Sequence, residues 1–195
     1  GLTYDPGNES HTRKPLINGE GVSDVITIKA SNVTLSGFQI KNWNSQPDYD
    51  SFTLIIKPGA DGCNISNNDL DYSANSIIEC ESSYNTITNN SVSDAGLYVG
   101  IGLDYPGQHN VASGNVIDRC PTGIQLADGK NDTVVENRIS NCGEFGIDIG
   151  GGMANIFQYN TFENNYVGLH IYQSGFNRIR DNNFINNTYQ ASFCE

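Results

Sequence analysis

Methionine and tryptophan occur once each in 195 residues, histidine three times and proline six times. No Cys-X-X-Cys pair and no Cys/His ligand spacing is present, which argues against a structural zinc centre. Positive charge is scarce as well. Ten Lys and Arg stand against 22 Asp and Glu, giving a net charge of −12 and a pI near 4.4. Nucleic acid needs a basic footprint and is excluded as a partner. An acidic surface suits solubility, divalent cations or a place outside the cell. No apolar run approaches the roughly 18 residues of a membrane span, so no span is expected. The opening Gly-Leu-Thr-Tyr-Asp-Pro lacks the basic and apolar regions of a signal peptide, so the sequence reads as a mature chain or an excised fragment. What is abundant is Asn, 26 residues, and Gly, 21 residues, both of which disfavour helix interiors.

These residues are not scattered. The segments CNISNNDL (63–70), NTITNNSV (85–92), NVASGNVI (110–117), DTVVENRI (132–139), NIFQYNTF (155–162) and NRIRDNNF (177–184) superimpose without gaps. An apolar residue usually stands at position three and again at eight, with Asn at six. That Asn is residue 68, 90, 115, 137, 160 and 182, at steps of 22, 25, 22, 23 and 22. VTLSGFQI (33–40) fits too, with Phe38 in place of the Asn. A second stripe keeps the same period: Ile78-Glu79-Cys80, Ile101-Gly102-Leu103, Ile124-Gln125-Leu126, Ile147-Asp148-Ile149 and Leu169-His170-Ile171. Four of these are preceded by Gly (100, 123, 146 and 168). Each is a short alternating strand, outer residues inward and the middle one outward. Strands so short must pair with their equivalents one repeat away, about 4.8 Å along an axis.

The fold expected is all-β, a right-handed parallel β-helix of seven to eight coils, with about 22–23 residues per coil. Asn68, Asn90, Asn115, Asn137, Asn160 and Asn182 form its asparagine ladder. At corners Asn tolerates left-handed backbone angles, and stacked amides hydrogen-bond from coil to coil. Residues 1–22 read as a polar N-terminal segment, a cap or linker, and 23–195 as the solenoid, with an aromatic insertion loop near 41–52. The last residues look like a coil cut midway, which points to truncation or stacking on a neighbour. Cys80 and Cys194 fall in an inward column and read as small buried hydrophobes. Cys120 and Cys142 stack on adjacent coils and are a candidate disulfide, although parallel side-chain vectors also suit reduced thiols.

Laid out in this way, nearly the whole chain beyond residue 17 resembles the NosD-like parallel β-helix repeat proteins of archaeal and bacterial surfaces. Residues 23–40, Ser-Asp-Val-Ile-Thr-Ile through Gln-Ile, match that family's usual first full turn. Carbohydrate-active enzymes, surface-layer components and a periplasmic protein of copper-enzyme maturation share the resemblance, so it implies the fold more than the function. Copper handling would want Met, His or Cys clusters, which are missing here. Phe145-Gly146-Ile147-Asp148 also resembles the start of the catalytic segment of mannuronan epimerases. The Pro, His and second Asp expected after it are replaced by Ile149, Gly150 and Gly151, so only Asp148 carries over.

The outward positions hold the candidate chemistry. Asp148 and His170 should be axial neighbours, with Gln125 beyond and Asp104 diagonal. That set could act as an acid/base group, or Asp104 and Asp148 could begin a calcium site. An exposed sheet face of ordinary polar residues explains the same pattern. Trp43, Tyr49 and Phe52 in the insertion could stack on sugar rings or cover the helix flank. The leading expectation is a non-catalytic extracellular module of a cell envelope, surface layer or sheath, self-associating or bound to envelope components. The alternative is a polysaccharide lyase, epimerase or hydrolase, or a glycan-binding module around Asp148. No cofactor is expected beyond calcium.

Overall fold

The structure, a computed structural model, describes residues 14–21, 23–42 and 51–194. Three parallel sheets run along one axis. Sheet 1 comprises β1 (Leu16–Asn18), β4 (Gln39–Lys41), β7 (Asp69–Ser73), β10 (Ser91–Ala95), β13 (Val116–Asp118), β16 (Arg138–Ser140), β19 (Thr161–Glu163) and β22 (Asn183–Ile185). Sheet 2 comprises β2 (Asp24–Ile28), β5 (Phe52–Ile56), β8 (Ser76–Cys80), β11 (Val99–Leu103), β14 (Thr122–Ala127), β17 (Phe145–Gly150), β20 (Val167–Tyr172) and β23 (Tyr189–Cys194). Sheet 3 comprises β3 (Thr34–Ser36), β6 (Asn64–Ser66), β9 (Thr86–Thr88), β12 (Val111–Ser113), β15 (Thr133–Val135), β18 (Ile156–Gln158) and β21 (Arg178–Arg180). Every third strand pairs, so the chain winds as a right-handed parallel β-helix of about seven coils. β1 pairs with β4, so part of the segment set apart at the N-terminus is already solenoid. Among the described residues no helix is long and apolar enough to cross a membrane.

Each coil sends single apolar side chains inward. Ile87, Ala112, Val134 and Phe157 come from sheet 3, and Val92, Ile117, Ile139 and Phe162 from sheet 1; all are buried. Sheet 2 contributes two columns, Ile78–Ile101–Ile124–Ile147–Leu169 and Cys80–Leu103–Leu126–Ile149. Side chains of this size are worth about 1.5–3 kcal/mol each when buried. Stacking thus drives coil upon coil although no coil has a core of its own.

The ladder asparagines do not themselves take the left-handed conformation. The residue before each does: Asn67, Asn89, Gly114, Glu136, Tyr159 and Asp181, at φ of 54–63°. That residue turns the chain, and the Asn after it points inward. Its Oδ1 accepts the backbone N–H of the equivalent Asn in the preceding coil, as in Asn90 N–H to Asn115 Oδ1 at 3.0 Å and Asn115 N–H to Asn137 Oδ1 at 2.9 Å. Its Nδ2 donates to a carbonyl of that coil, as Asn115 does to Ile87 at 2.9 Å. Corner backbone groups that cannot join a sheet are satisfied in this way.

Two further ladders follow the same rule. Cys63, Asn85, Asn110, Asp132, Asn155 and Asn177 form one, each N–H donating to the next residue's Oδ1 at 2.6–2.9 Å. Cys120, Cys142, Asn165 and Asn187 occupy the third, where Asn165 accepts from Cys142 N–H at 2.9 Å and Asn187 from Asn165 N–H at 2.9 Å. Cys120 and Cys142 are free and buried, not bridged. Each thiol instead donates to the carbonyl two residues earlier, Asp118 at 3.5 Å and Ser140 at 3.6 Å. Burial pushes the Cys120 thiol up to about 12 and raises Cys142 as well.

The last coil corrects a register. Phe193, not Cys194, follows Ile171, and Cys194 pairs with Tyr172 on the outward side, where it is exposed. The step there is 22 residues, the spacing of the ladder pair Asn165 and Asn187.

Candidate functional site

Parallel pairing in register places equivalent outward side chains one above another. On sheet 2 the middle column runs Thr27, Ile55, Glu79, Gly102, Gln125, Asp148, His170 and Ser192. The next outward column includes Ala127, Gly150, Tyr172 and Cys194.

Gln125, Asp148 and His170 meet. Asp148 Oδ1 lies 2.8 Å from His170 Nδ1, and Asp148 Oδ2 accepts from Gln125 Nε2 at 3.3 Å. The His170 ring stacks on Phe145 at 4.5 Å and on Tyr172 at 5.5 Å between centroids. The Asp148 side chain is 10 % exposed and that of His170 18 %. Tyr172 leans back over Gly150, where an added Cβ would come within 2.4 Å of its hydroxyl. The absent side chain makes room for the ring.

Asp104 does not join this group. It accepts the Ala127 N–H at 3.0 Å, and its side chain interacts with Glu79, a residue the sequence reading passed over as a candidate. Glu79 is buried although it sits on the outward column, because its carboxylate folds over Gly102 of the next coil. Burial lifts the Glu79 carboxyl well above the usual range, and the nearby charge of Asp104 adds to this. Asp104 is raised by its own burial, partly offset by hydrogen bonds from Glu79 and the Ala127 N–H. The gap at Gly102 after Glu79 was the available signal for this pair. Asp104 and Asp148 therefore serve different partners and do not converge on one ion.

Trp43 and Tyr49 lie outside the described residues. Phe52 belongs to strand β5, half-buried, with Lys57 Nζ 5.9 Å from its ring centre. A second surface lies on sheet 1, a groove of about 350 Å³ lined in part by Ser93, Asp118, Arg119, Arg138, Ser140 and Asn141. Its charges are matched internally: Arg119 holds Asp94 and Asp118, Arg138 holds Glu163, and Ser140 and Asn141 donate to Asp118.

Residues 11–195 match the family described as "Periplasmic copper-binding protein (NosD)". The chain belongs to the NosD family. No curated protein is similar enough to match it. Among solved structures, one titled "Crystal structure of pectate lyase Pel9A" covers 95% of this chain and 71% of its own, at 13% identity and a TM-score of 0.48. At that distance nothing about activity passes to this member of the NosD family.

The family description raises copper, which needs converging thiolate, thioether or imidazole donors. Four of the five thiols are buried. Met153 is exposed, its backbone bridging those of Lys130 and Gly175, and His109 stacks on Tyr84 at 5.1 Å. Among the described residues no three His, Cys, Asp or Glu side chains are grouped to hold a metal. One soft pair does form: Cys194 Sγ is 3.9 Å from His170 Nε2. Two donors at that distance do not make a copper centre, and the residues present do not fit one.

Proposed function

We propose that this NosD-family chain is a non-catalytic module of the cell envelope that holds a linear glycan along the outer face of sheet 2. The observation carrying this reading is the hydrogen-bonded row Gln125–Asp148–His170 bordered by the Phe145 and Tyr172 rings. Sugars present hydroxyls to carboxylates and amides, and C–H faces to aromatic rings. A parallel solenoid repeats such groups at coil spacing, which suits an extended polymer. Both oxygens of Asp148 are engaged by neighbours within the fold, which favours a fixed binding group over one that must take up and release protons. An envelope location agrees with the family's periplasmic description and with the excess of acidic residues.

Calorimetric titration with a soluble polyuronate and with a neutral polysaccharide tests the reading. Binding of one class is expected, without chain cleavage or epimerisation. Tyr172→Ala and Gln125→Ala should each weaken it by about tenfold, the loss of one stacking or hydrogen-bonding contact. Absence of binding to both classes would overturn the proposal. Turnover that disappears in Asp148→Asn would replace it with an enzyme.

A further inference from the structure

Asn-X-Ser/Thr triplets begin at Asn8, Asn32, Asn64, Asn89, Asn131 and Asn186, of which Asn8 lies outside the described residues. Their number means little in a sequence this rich in Asn; their place in the coil carries the argument. Asn32, Asn89, Asn131 and Asn186 are exposed corner residues in the left-handed conformation, at φ of 53–60°. The residue after each turns inward: Asn90, Asp132 and Asn187 are buried ladder residues, and Val33 packs against the core. The residue after that faces out again, with Thr34, Ser91 and Thr188 exposed and Thr133 half-buried. These corners therefore set an amide and a hydroxyl on the same outer side. Two residues beyond a ladder Asn, by contrast, stands an inward side chain such as Val92, Ile117, Ile139 or Phe162, so the ladder itself carries no such triplet.

We propose that Asn32, Asn89, Asn131 and Asn186 are acceptors for N-linked oligosaccharide. Among the described residues none of these four side-chain amides is held in a hydrogen bond, whereas Asn141, a left-handed Asn without the triplet, donates its amide to Asp118 at 2.6 Å. The corner residue of the next coil is Gly62 beside Asn32, Gly114 beside Asn89 and Ala154 beside Asn131, which leaves room for a sugar on the amide. The amide nitrogen displaces a lipid diphosphate from the anomeric carbon of an activated oligosaccharide. One C–N bond forms, one C–O bond breaks, the amide loses a proton to a base of the transferase, and no electron is exchanged. None of the four lies in the outward columns of sheet 2 that hold Gln125, Asp148 and His170, so decoration leaves that face open. Asn64 is a built-in contrast: it lies in strand β6, and its hydroxyl partner Ser66 is only 8% exposed. The inference rests on the envelope location proposed above and not on glycan binding by sheet 2.

The test is peptide mapping by mass spectrometry of the chain isolated from its own cells, after separation of envelope and cytosol. Peptides holding the four corner sites should carry a sugar mass, and the Asn64 peptide should not. Thr133→Ala keeps Asn131 and its corner in place, yet it should abolish the modification there, while Thr133→Ser should retain it. Envelope chain unmodified at all four corners overturns this inference and leaves the envelope reading standing. Chain confined to the cytosol overturns both. Modification of Asn64 to the same extent as the corners would show that the triplet alone decides, and the structural selection of sites would fall.

Discussion

Asn115 and Asp132 occupy equivalent places in two ladders, and the one-atom difference between amide and carboxylate has a measurable consequence. In the ladder of Asp132, Asn155 Nδ2 donates to the Gly129 carbonyl at 3.0 Å and Asn177 Nδ2 to Gly152 at 3.2 Å. The matching carbonyl for residue 132 is that of Gly107, and an ionised Asp has no proton to offer it. Asp132 Oδ2 is buried without a partner, as is Asn110 Nδ2. Burial pushes the Asp132 carboxyl up to about 7 from 3.8, more than the N–H of Asn110 returns. The folded chain therefore binds this proton more tightly than the unfolded chain does. The stability involved is fully present below about pH 4, where both states are protonated. It declines as pH rises and is lost above about pH 7, a change of up to ~4 kcal/mol. Asp132→Asn restores the missing donor. Its melting temperature should exceed the parent's at pH 8, match it near pH 4, and vary less between the two. Equal pH profiles for parent and variant would show that Asp132 is solvated in solution.

At the scale of single strands, the glycines preceding the sheet 2 stripe explain how sheets 1 and 2 close against each other. A Cβ at Gly146 would stand 2.5 Å from the Gly168 carbonyl and 2.9 Å from Phe162 Cδ1, and one at Gly123 2.5 Å from the Gly146 carbonyl. Those are backbone and core atoms that cannot step aside. A Cβ at Gly102 would meet only the Glu79 carboxylate, at 2.8 Å, the far end of a flexible side chain. Urea unfolding should find Gly146→Ala destabilised by about 3 kcal/mol or more and Gly102→Ala by no more than about 1 kcal/mol. Similar losses at both positions would remove the distinction between backbone and side-chain crowding.

The same strands show what the sequence could and could not convey. Parallel pairing preserves register, so a period of 22–23 residues was enough to stack Gln125, Asp148 and His170. The second ladder was harder to see, because Cys63 and Asp132 interrupt its run of Asn and because its role is set by the left-handed residue before it. Glu79 and Asp104 belong to different columns and meet only because Glu79 bends over a glycine, which linear spacing does not encode. The place of Cys194 beside His170 was lost to a one-residue register difference, which turns a side chain from the inner face to the outer one.

Over the whole molecule, stability should vary along the axis, because each coil touches only the coils before and after it. In the middle, Asn90, Asn115, Asn137, Phe157 and Phe162 are all within 1% of complete burial. Toward β21 and β22, Ile179, Asn182 and Phe184 are only half-buried, and Tyr189 and Phe193 of β23 are 55% and 69% exposed. Such a chain approximates a one-dimensional array whose stability sums over coil interfaces, and coils with one partly open side can separate without disrupting the rest. Hydrogen exchange followed by mass spectrometry should therefore show the slowest amides in β8, β11, β14 and β17, with β22 and β23 exchanging through smaller openings. Ligand at sheet 2 should narrow this gradient, since Asp148 and His170 join β17 to β20 and binding to the folded state alone raises its stability. Uniform protection in all coils would mean that the three ladders couple them into one cooperative unit, and the nearest-neighbour description would fail.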